Sequence, residues 1–216
     1  WAFASFRAAC ARGKRLALPL ALCFSLSVPA FAEVESQQAQ VGNLEMTWPV
    51  VHTKNKKADT MINKDIKTFM DDFRAGFVDR KFTSGRTWYE TKYEDNQLVS
   101  LVLSDLRTQG GDNKVRTSAV VYELASGQRL PLSAFVRVTV ADLNGYLANQ
   151  CYNSSDVKIH PTKQVTRVPE DFFLNQDGSI SILFQTDELG TLLDGPVYIR
   201  LSQPDLRDLN TRNPRA

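Results

Sequence analysis

Between residues 58 and 77 the apolar side chains Ala58, Ile62, Ile66, Phe69, Phe73 and Phe77 recur at intervals of 4, 4, 3, 4 and 4. That spacing keeps one stripe on one face of an α-helix. A helix of this kind has to bury its stripe against something. The residues that follow it supply strands. RTWYETKY (86–93) alternates, with Tyr89, Thr91 and Tyr93 on one face. LVSLVLSDL (98–106) reads as a more fully buried strand, and KVRTSAVVYEL (114–124) returns after the QGGDN turn, whose residues tolerate positive φ. Ser126-Gly127 then turns the chain into RLPLSAF (129–135). Ahead of the helix, LEMTWPVV (44–51) reads as a strand with Pro49 at an edge or bulge.

A second helix is expected over 140–152, where Val140, Leu143, Leu147 and Cys151 are spaced 3, 4 and 4. Residues 172–184 contain an Asp177-Gly178 hairpin turn, and 196–201 is a last strand. Strands and helices are segregated rather than alternating. The fold class is therefore α+β, an antiparallel sheet with one long packed helix, in two small fused subdomains. Residues 33–43 read as a loose polar lead-in and 202–216 as a disordered tail without apolar period.

The first 32 residues read as a secretory signal peptide. Arg7, Arg12, Lys14 and Arg15 precede the 13-residue apolar run Leu16 to Val28, and Ala30-Phe31-Ala32 supplies the small-x-small site. A bilayer span needs about 20 apolar residues. The expected product is exported, periplasmic or extracellular, with no membrane span after cleavage. Taking four basic residues from 26 leaves 22 Lys+Arg against 24 Asp+Glu, a net charge of −2. That balance argues against a nucleic-acid partner. Cys10 and Cys23 leave with the leader, so Cys151 has no internal disulfide partner. It is either a buried thiol or bonded to another chain.

The run TFMDDF (68–73) approaches the Thr-Phe-Asp-Asp motif of metal-dependent polysaccharide deacetylases. Such chemistry needs a metal and two histidines separated by three residues. His52 and His160 are 108 positions apart, and Asp71 and Asp72 fall on the polar side of the helix stripe. No Gly-x-Ser-x-Gly elbow, Cys-x-x-Cys pair or phosphate-binding glycine loop occurs in the chain. No catalytic residue, metal ligand or cofactor is expected.

The order of elements carries a resemblance. Trp48-Pro49 is followed by a helix carrying Ile62-Asn63 and a Tyr93…Val99-Ser100-Leu101 hairpin. Gly110-Gly111 then precedes Tyr122-Glu123-Leu124…Ser126-Gly127-Gln128-Arg129-Leu130-Pro131-Leu132-Ser133…Phe135. Phe172-Phe173-Leu174…Asp177-Gly178 and Phe184…Glu188-Leu189-Gly190 complete the series. Over about residues 44–201 the chain resembles the extracellular domain family of the lysozyme-sensing anti-sigma factor RsiV and of the non-catalytic region of the deacetylase PdaC. The resemblance implies a PdaC-like subdomain at 44–104 and an RsiV-like one at 105–201. It also implies binding or sensing in the cell envelope rather than catalysis, with a lysozyme-like protein or peptidoglycan as ligand. Exposed aromatics would make the contacts. Trp48, Trp88 and Tyr152 are candidates, as is the loop Gly110-Gly111-Asp112. Core packing and a plain hairpin turn are the competing explanations for these residues. An exported wall-glycan hydrolase with a carboxylate pair that no spacing reveals, or a structural envelope component, are the alternative functions.

Overall fold

The computed structural model describes residues 32–214. The chain runs β1 (Glu33–Val41), β2 (Leu44–His52), α1 (Lys56–Val78), β3 (Ser84–Glu94), β4 (Leu98–Gln109), β5 (Asp112–Glu123), α2 (Val140–Gln150), β6 (Cys151–Asn153), β7 (Phe172–Leu174), β8 (Ile180–Phe184), β9 (Val197–Leu201) and α3 (Gln203–Arg212). One sheet has the order β1-β2-β3-β4-β5 and the other β6-β9-β8-β7. Pairing is antiparallel except for β2–β3. The α+β class with one long helix is what the patterning predicts.

The helix α1 starts where Asn55 accepts a bond from the Lys57 N–H at 3.0 Å. Asp59, in its first turn, accepts the Thr53 N–H at 2.6 Å. Ala58, Ile62, Ile66, Met70, Phe73 and Gly76 form its buried face, and Phe69 and Phe77 flank it, half-buried. Ile62 and Ile66 pack on Val51, Val99, Leu101 and Val120 of the sheet. The Tyr122 hydroxyl, on β5, donates to Asp65 of the helix at 2.7 Å.

The second sheet makes its own core with the helices that follow it. Leu143 and Leu147 of α2 and Leu209 of α3 pack with Phe172, Ile182, Ile199 and Leu201. The two sheets meet where Val102 and Ala119 of the first touch Phe173, Leu183 and Tyr198 of the second.

Four expectations change. Residues 33–43 are not a loose lead-in. They form β1 and the Gly42-Asn43 turn, pairing with β2 along its whole length. The signal is weak in the sequence because seven of the nine β1 residues are polar or charged or alanine and only Val34 and Val41 are apolar and branched. The tail expected to be disordered, 202–216, forms α3 over Gln203–Arg212. Ser202 and Asp205 cap it reciprocally, Leu209 is buried against α2, and Arg212 pairs with Asp142 at 2.8 Å. Two apolar residues, Leu206 and Leu209, are too few to show a period but enough to dock one turn.

Tyr93 does not share a face with Tyr89. A bulge shifts the register between Thr91 and Tyr93, so Tyr93 packs on the second core while Tyr89 packs on the first. Finally, the boundary at 104/105 falls inside β4, which continues to Gln109 and pairs with β5 throughout. The signal-peptide reading of 1–32 lies outside the described residues apart from Ala32, which is buried.

Candidate ligand-binding groove

The last strand of the first sheet, β5, would expose a row of unpaired N–H and C=O groups. Side chains from the residues that flank β7 and β8 bond several of these groups. The Gln185 amide accepts from the Thr117 N–H at 3.2 Å and donates to the Thr117 C=O at 2.6 Å. Asp171 accepts from the Ala119 N–H and the Ser118 hydroxyl, each at 3.0 Å. The Thr186 hydroxyl donates to the Val115 C=O at 3.3 Å. Toward the hairpin tip this cover runs out, and a groove of ≈ 640 Å³ opens between β5 and the segment 185–195. Lys114 and Arg116 line one side, Gln185, Asp187 and Leu192 the other.

A smaller recess of ≈ 130 Å³ adjoins it and shares Val115 and Thr117 as lining. It sits between the sheets. Its walls are Trp88, Lys92, Phe173, Pro196 and Tyr198. The Lys92 ammonium lies 5.4 Å from the Phe173 ring and pairs with Glu90 at 2.6 Å. Behind Tyr198, the Tyr152 ring stacks with centroids 6.0 Å apart. Arg200 lies 5.0 Å from the Tyr152 ring and 5.4 Å from the Tyr198 ring. Asp156 joins them, accepting from Arg200 at 2.8 Å and from the Tyr198 hydroxyl.

The residues expected to bind ligand divide accordingly. Trp88 lines the recess, and Tyr152 buttresses it through Tyr198. Gly110-Gly111 is the two-residue turn between β4 and β5, with φ of +58° and +92°. Both positive angles favour glycine. Asp112 follows directly, next to the groove-lining Asn113 and Lys114. Trp48 is elsewhere. It packs half-buried against the Met46 and Met70 cluster under α1, away from the groove.

The sequence reading missed Lys92, Phe173, Tyr198, Leu192 and Leu193. Leu192, 73% exposed, lines the end of the groove, and Leu193, the next residue, is 99% exposed. Their signal was an adjacent leucine pair in the glycine-flanked segment Gly190–Gly195. Phe173 and Tyr198 look like ordinary strand residues until the sheets meet.

The titratable groups elsewhere are tied into structure. Asp71 pairs with Lys67 at 2.5 Å and Asp72 with Arg116 at 3.0 Å, both on the surface. Among the described residues no group of His, Cys, Asp or Glu is placed to hold a metal ion. Cys151 is a buried free thiol. Burial pushes it up to about 11, with Asp194 adding to the rise, which suppresses the nucleophilic thiolate at neutral pH.

No protein-family model and no curated protein matches the sequence. Among solved structures, the chain is similar to a DUF3298 family member from Bacteroides fragilis, with a TM-score of 0.54, 12% identity, 83% of this chain and 92% of that one covered. It is also similar to a DUF3298 family protein from Pseudomonas aeruginosa PAO1, with a TM-score of 0.49, 10% identity, and 82% and 91% covered. The likeness to the first is one of fold.

Proposed function

We propose that this chain is a non-catalytic binding module of the cell envelope and that it takes a protein ligand, a lysozyme-like wall-active enzyme, at the groove beside β5. The observation that carries this is the pairing of a one-side-chain recess with displayed leucines. The groove, at ≈ 640 Å³, lies within the roughly 300–1,000 Å³ of small-molecule sites, but the adjoining recess of ≈ 130 Å³ lies below it. The recess suits a single protruding residue of a partner. Leu193, almost fully exposed, cannot enclose a small ligand but can contact a protein surface. Aromatic anchors surrounded by polar side chains are the composition of protein-interface hot spots. The DUF3298-type fold and the resemblance to RsiV and PdaC extracellular domains support the same reading.

Peptidoglycan is the second ligand in view, because the half-buried Trp88 ring at the recess could stack on a sugar ring. The hydrolase alternative needs a free carboxylate pair. In the groove Asp171 accepts from Ser118 and Ala119, and Asp187 pairs with Lys163 at 2.7 Å, which gives the hydrolase reading less support than the binding one. A structural envelope component would lack a saturable soluble ligand.

Calorimetric titration of the purified chain with a lysozyme tests the proposal. Saturating heat, with affinity lowered about tenfold or more by Leu193→Asp or Trp88→Ala, is the expected result. No heat with lysozyme, together with saturable binding to wall fragments, would move the ligand to peptidoglycan. Turnover of wall glycan abolished by one Asp or Glu substitution would replace binding with hydrolysis.

A further inference from the structure

We infer that β1 is a self-pairing edge, and that two copies of this chain join through antiparallel β1–β1 contact into one continuous ten-stranded sheet.

The four outermost strands of the two sheets are β1, β5, β6 and β7. Three of them have at least some of their outer backbone groups engaged by neighbouring segments. Gln185, Asp171 and Thr186 cover β5, and the Leu130 N–H bonds the Val121 C=O at 2.8 Å further along. The β6 edge pairs with 157–159, through Asn153 N–H to Val157 at 2.9 Å and Ile159 N–H to Cys151 at 3.0 Å. On β7, the Leu174 N–H donates to the Ser100 hydroxyl at 3.0 Å. Among the described residues nothing bonds the outer edge of β1.

Its composition also lacks the usual protection. Edge strands are normally blunted by lysine, proline, a bulge or an inward charge. EVESQQAQV has no lysine, proline or glycine, and its nine residues pair with β2 without a register shift. The two charges, Glu33 and Glu35, are both at one end.

The register follows from the hairpin. The two-residue turn Gly42-Asn43 closes on Val41 and Leu44 as a hydrogen-bonded pair. Odd-numbered β1 residues therefore bond β2, and Val34, Ser36, Gln38 and Gln40 point their N–H and C=O outward. The same parity is seen on the far side of β2, where Thr47 and Val51 bond outward to Thr87 and Asn63. Full overlap of two β1 strands centres on Gln37. It sets Val34 opposite Gln40 and Ser36 opposite Gln38, which are the outward-bonding residues. Each pair exchanges two bonds, about eight in all. Antiparallel pairing also sets Glu33 opposite Val41 and Glu35 opposite Ala39, so no carboxylates face each other. A parallel pairing would stack them. This self-complementarity is why the occupant is a second copy rather than an unrelated strand. The junction is at the edge opposite β5, so it leaves the groove uncovered.

The test uses the full chain as it accumulates on expression, by sedimentation over a concentration series. A monomer–dimer equilibrium is expected. Gln38→Pro removes an outward donor and should leave a folded monomer. Because proline could disturb β1 itself, Ser36→Lys with Gln38→Lys is the second variant, placing lysines opposite one another across the axis. Gln37→Cys, in a chain with Cys10→Ser and Cys23→Ser, should form a disulfide-linked dimer on mild oxidation. Cα atoms of such a pair lie about 4.5 Å apart, within the span of a disulfide. Gln40→Cys in the same background should not, since Val34 faces it. A monomer at every concentration overturns the inference. So does a dimer that survives both edge variants and does not cross-link at position 37.

Discussion

Asn63 of α1 holds both backbone groups of Val51 in β2. Its Nδ2 donates to the Val51 C=O and its Oδ1 accepts from the Val51 N–H, each at 2.8 Å. β2 pairs with β3 only at Leu44 and Glu45, so beyond that point it has no strand neighbour on this side. The amide takes the place of one. Thr87 does the same for Thr47, with both bonds at 2.9 Å, and Pro49 between them has no N–H to satisfy. Gln185 repeats the device on Thr117 of β5. Asn63→Ala leaves a donor and an acceptor of a buried residue unpaired. The expected loss is about 2–4 kcal/mol, read as a lower urea midpoint. Asn63→Asp, which keeps the acceptor but loses the donor, should be destabilised too.

Gly127 has φ of +76°, and a Cβ there would lie 2.7 Å from both the Cα and the carbonyl oxygen of Ala58. Strained backbone and a clash with helix backbone act together. Gly127→Ala should cost about 3 kcal/mol or more, visible in thermal melting. The exposed turn glycine Gly110 meets nothing within 4 Å. Its alanine variant carries only the cost of positive φ and should be the milder of the two.

The Cys151 thiol adds an alkaline limit. Its folded value is raised to about 11 from an ordinary 9.0 by burial. The stabilisation it contributes is complete below pH 9.0 and declines above it, as the unfolded thiol ionises first. Over the two-unit interval this is on the order of 2–3 kcal/mol. Cys151→Ala should be less stable at neutral pH through the lost packing, yet show a flatter decline above pH 9. Equal slopes for the two proteins would contradict the assignment.

At acid pH the opposite sign applies. For Asp142, burial alone would raise the carboxyl, but bonds from Thr139, Asn213 and Arg212 outweigh it and hold it below its ordinary 3.8. That contribution is present above pH 3.8 and is lost as pH falls through the lower folded value. Since Arg212 and Asn213 end α3, acid should release this helix. Asp142→Asn is expected to weaken the acid dependence and to raise amide exchange in 203–213 at neutral pH.

Leu193→Asp should separate binding from stability. The side chain is 99% exposed, so its replacement is expected to shift the melting midpoint little. Lysozyme binding by calorimetry should nevertheless fall by about tenfold or more if the leucine is an interface anchor. Unchanged affinity would remove Leu193 from the contact surface.

The residues named at the outset show where local pattern suffices. The stripe from Ala58 to Phe77 became α1, and Gly110-Gly111 and Asp177-Gly178 became turns. The 3.6-residue period and positive-φ glycine are short-range properties, written within a few consecutive residues. Asp71 and Asp72 could be placed on the surface for the same reason.

Tertiary structure decided the rest. β1 is a strand because β2 lies beside it, although its own residues have little strand preference. Leu209 is buried because α2 and the second sheet come back to meet it. One bulge at Thr91/Tyr93 moved a tyrosine to the opposite face. The recess joins Trp88, Phe173, Leu183 and Tyr198, which are separated by as many as 110 positions and meet only when the two sheets pack. Trp48 and Trp88 are alike in sequence terms, and only the packing of α1 over one and not the other set the first away from the groove and made the second a candidate contact. Local backbone preference determines elements; burial of one element's face against another, over long sequence separation, determines which side chains share a site.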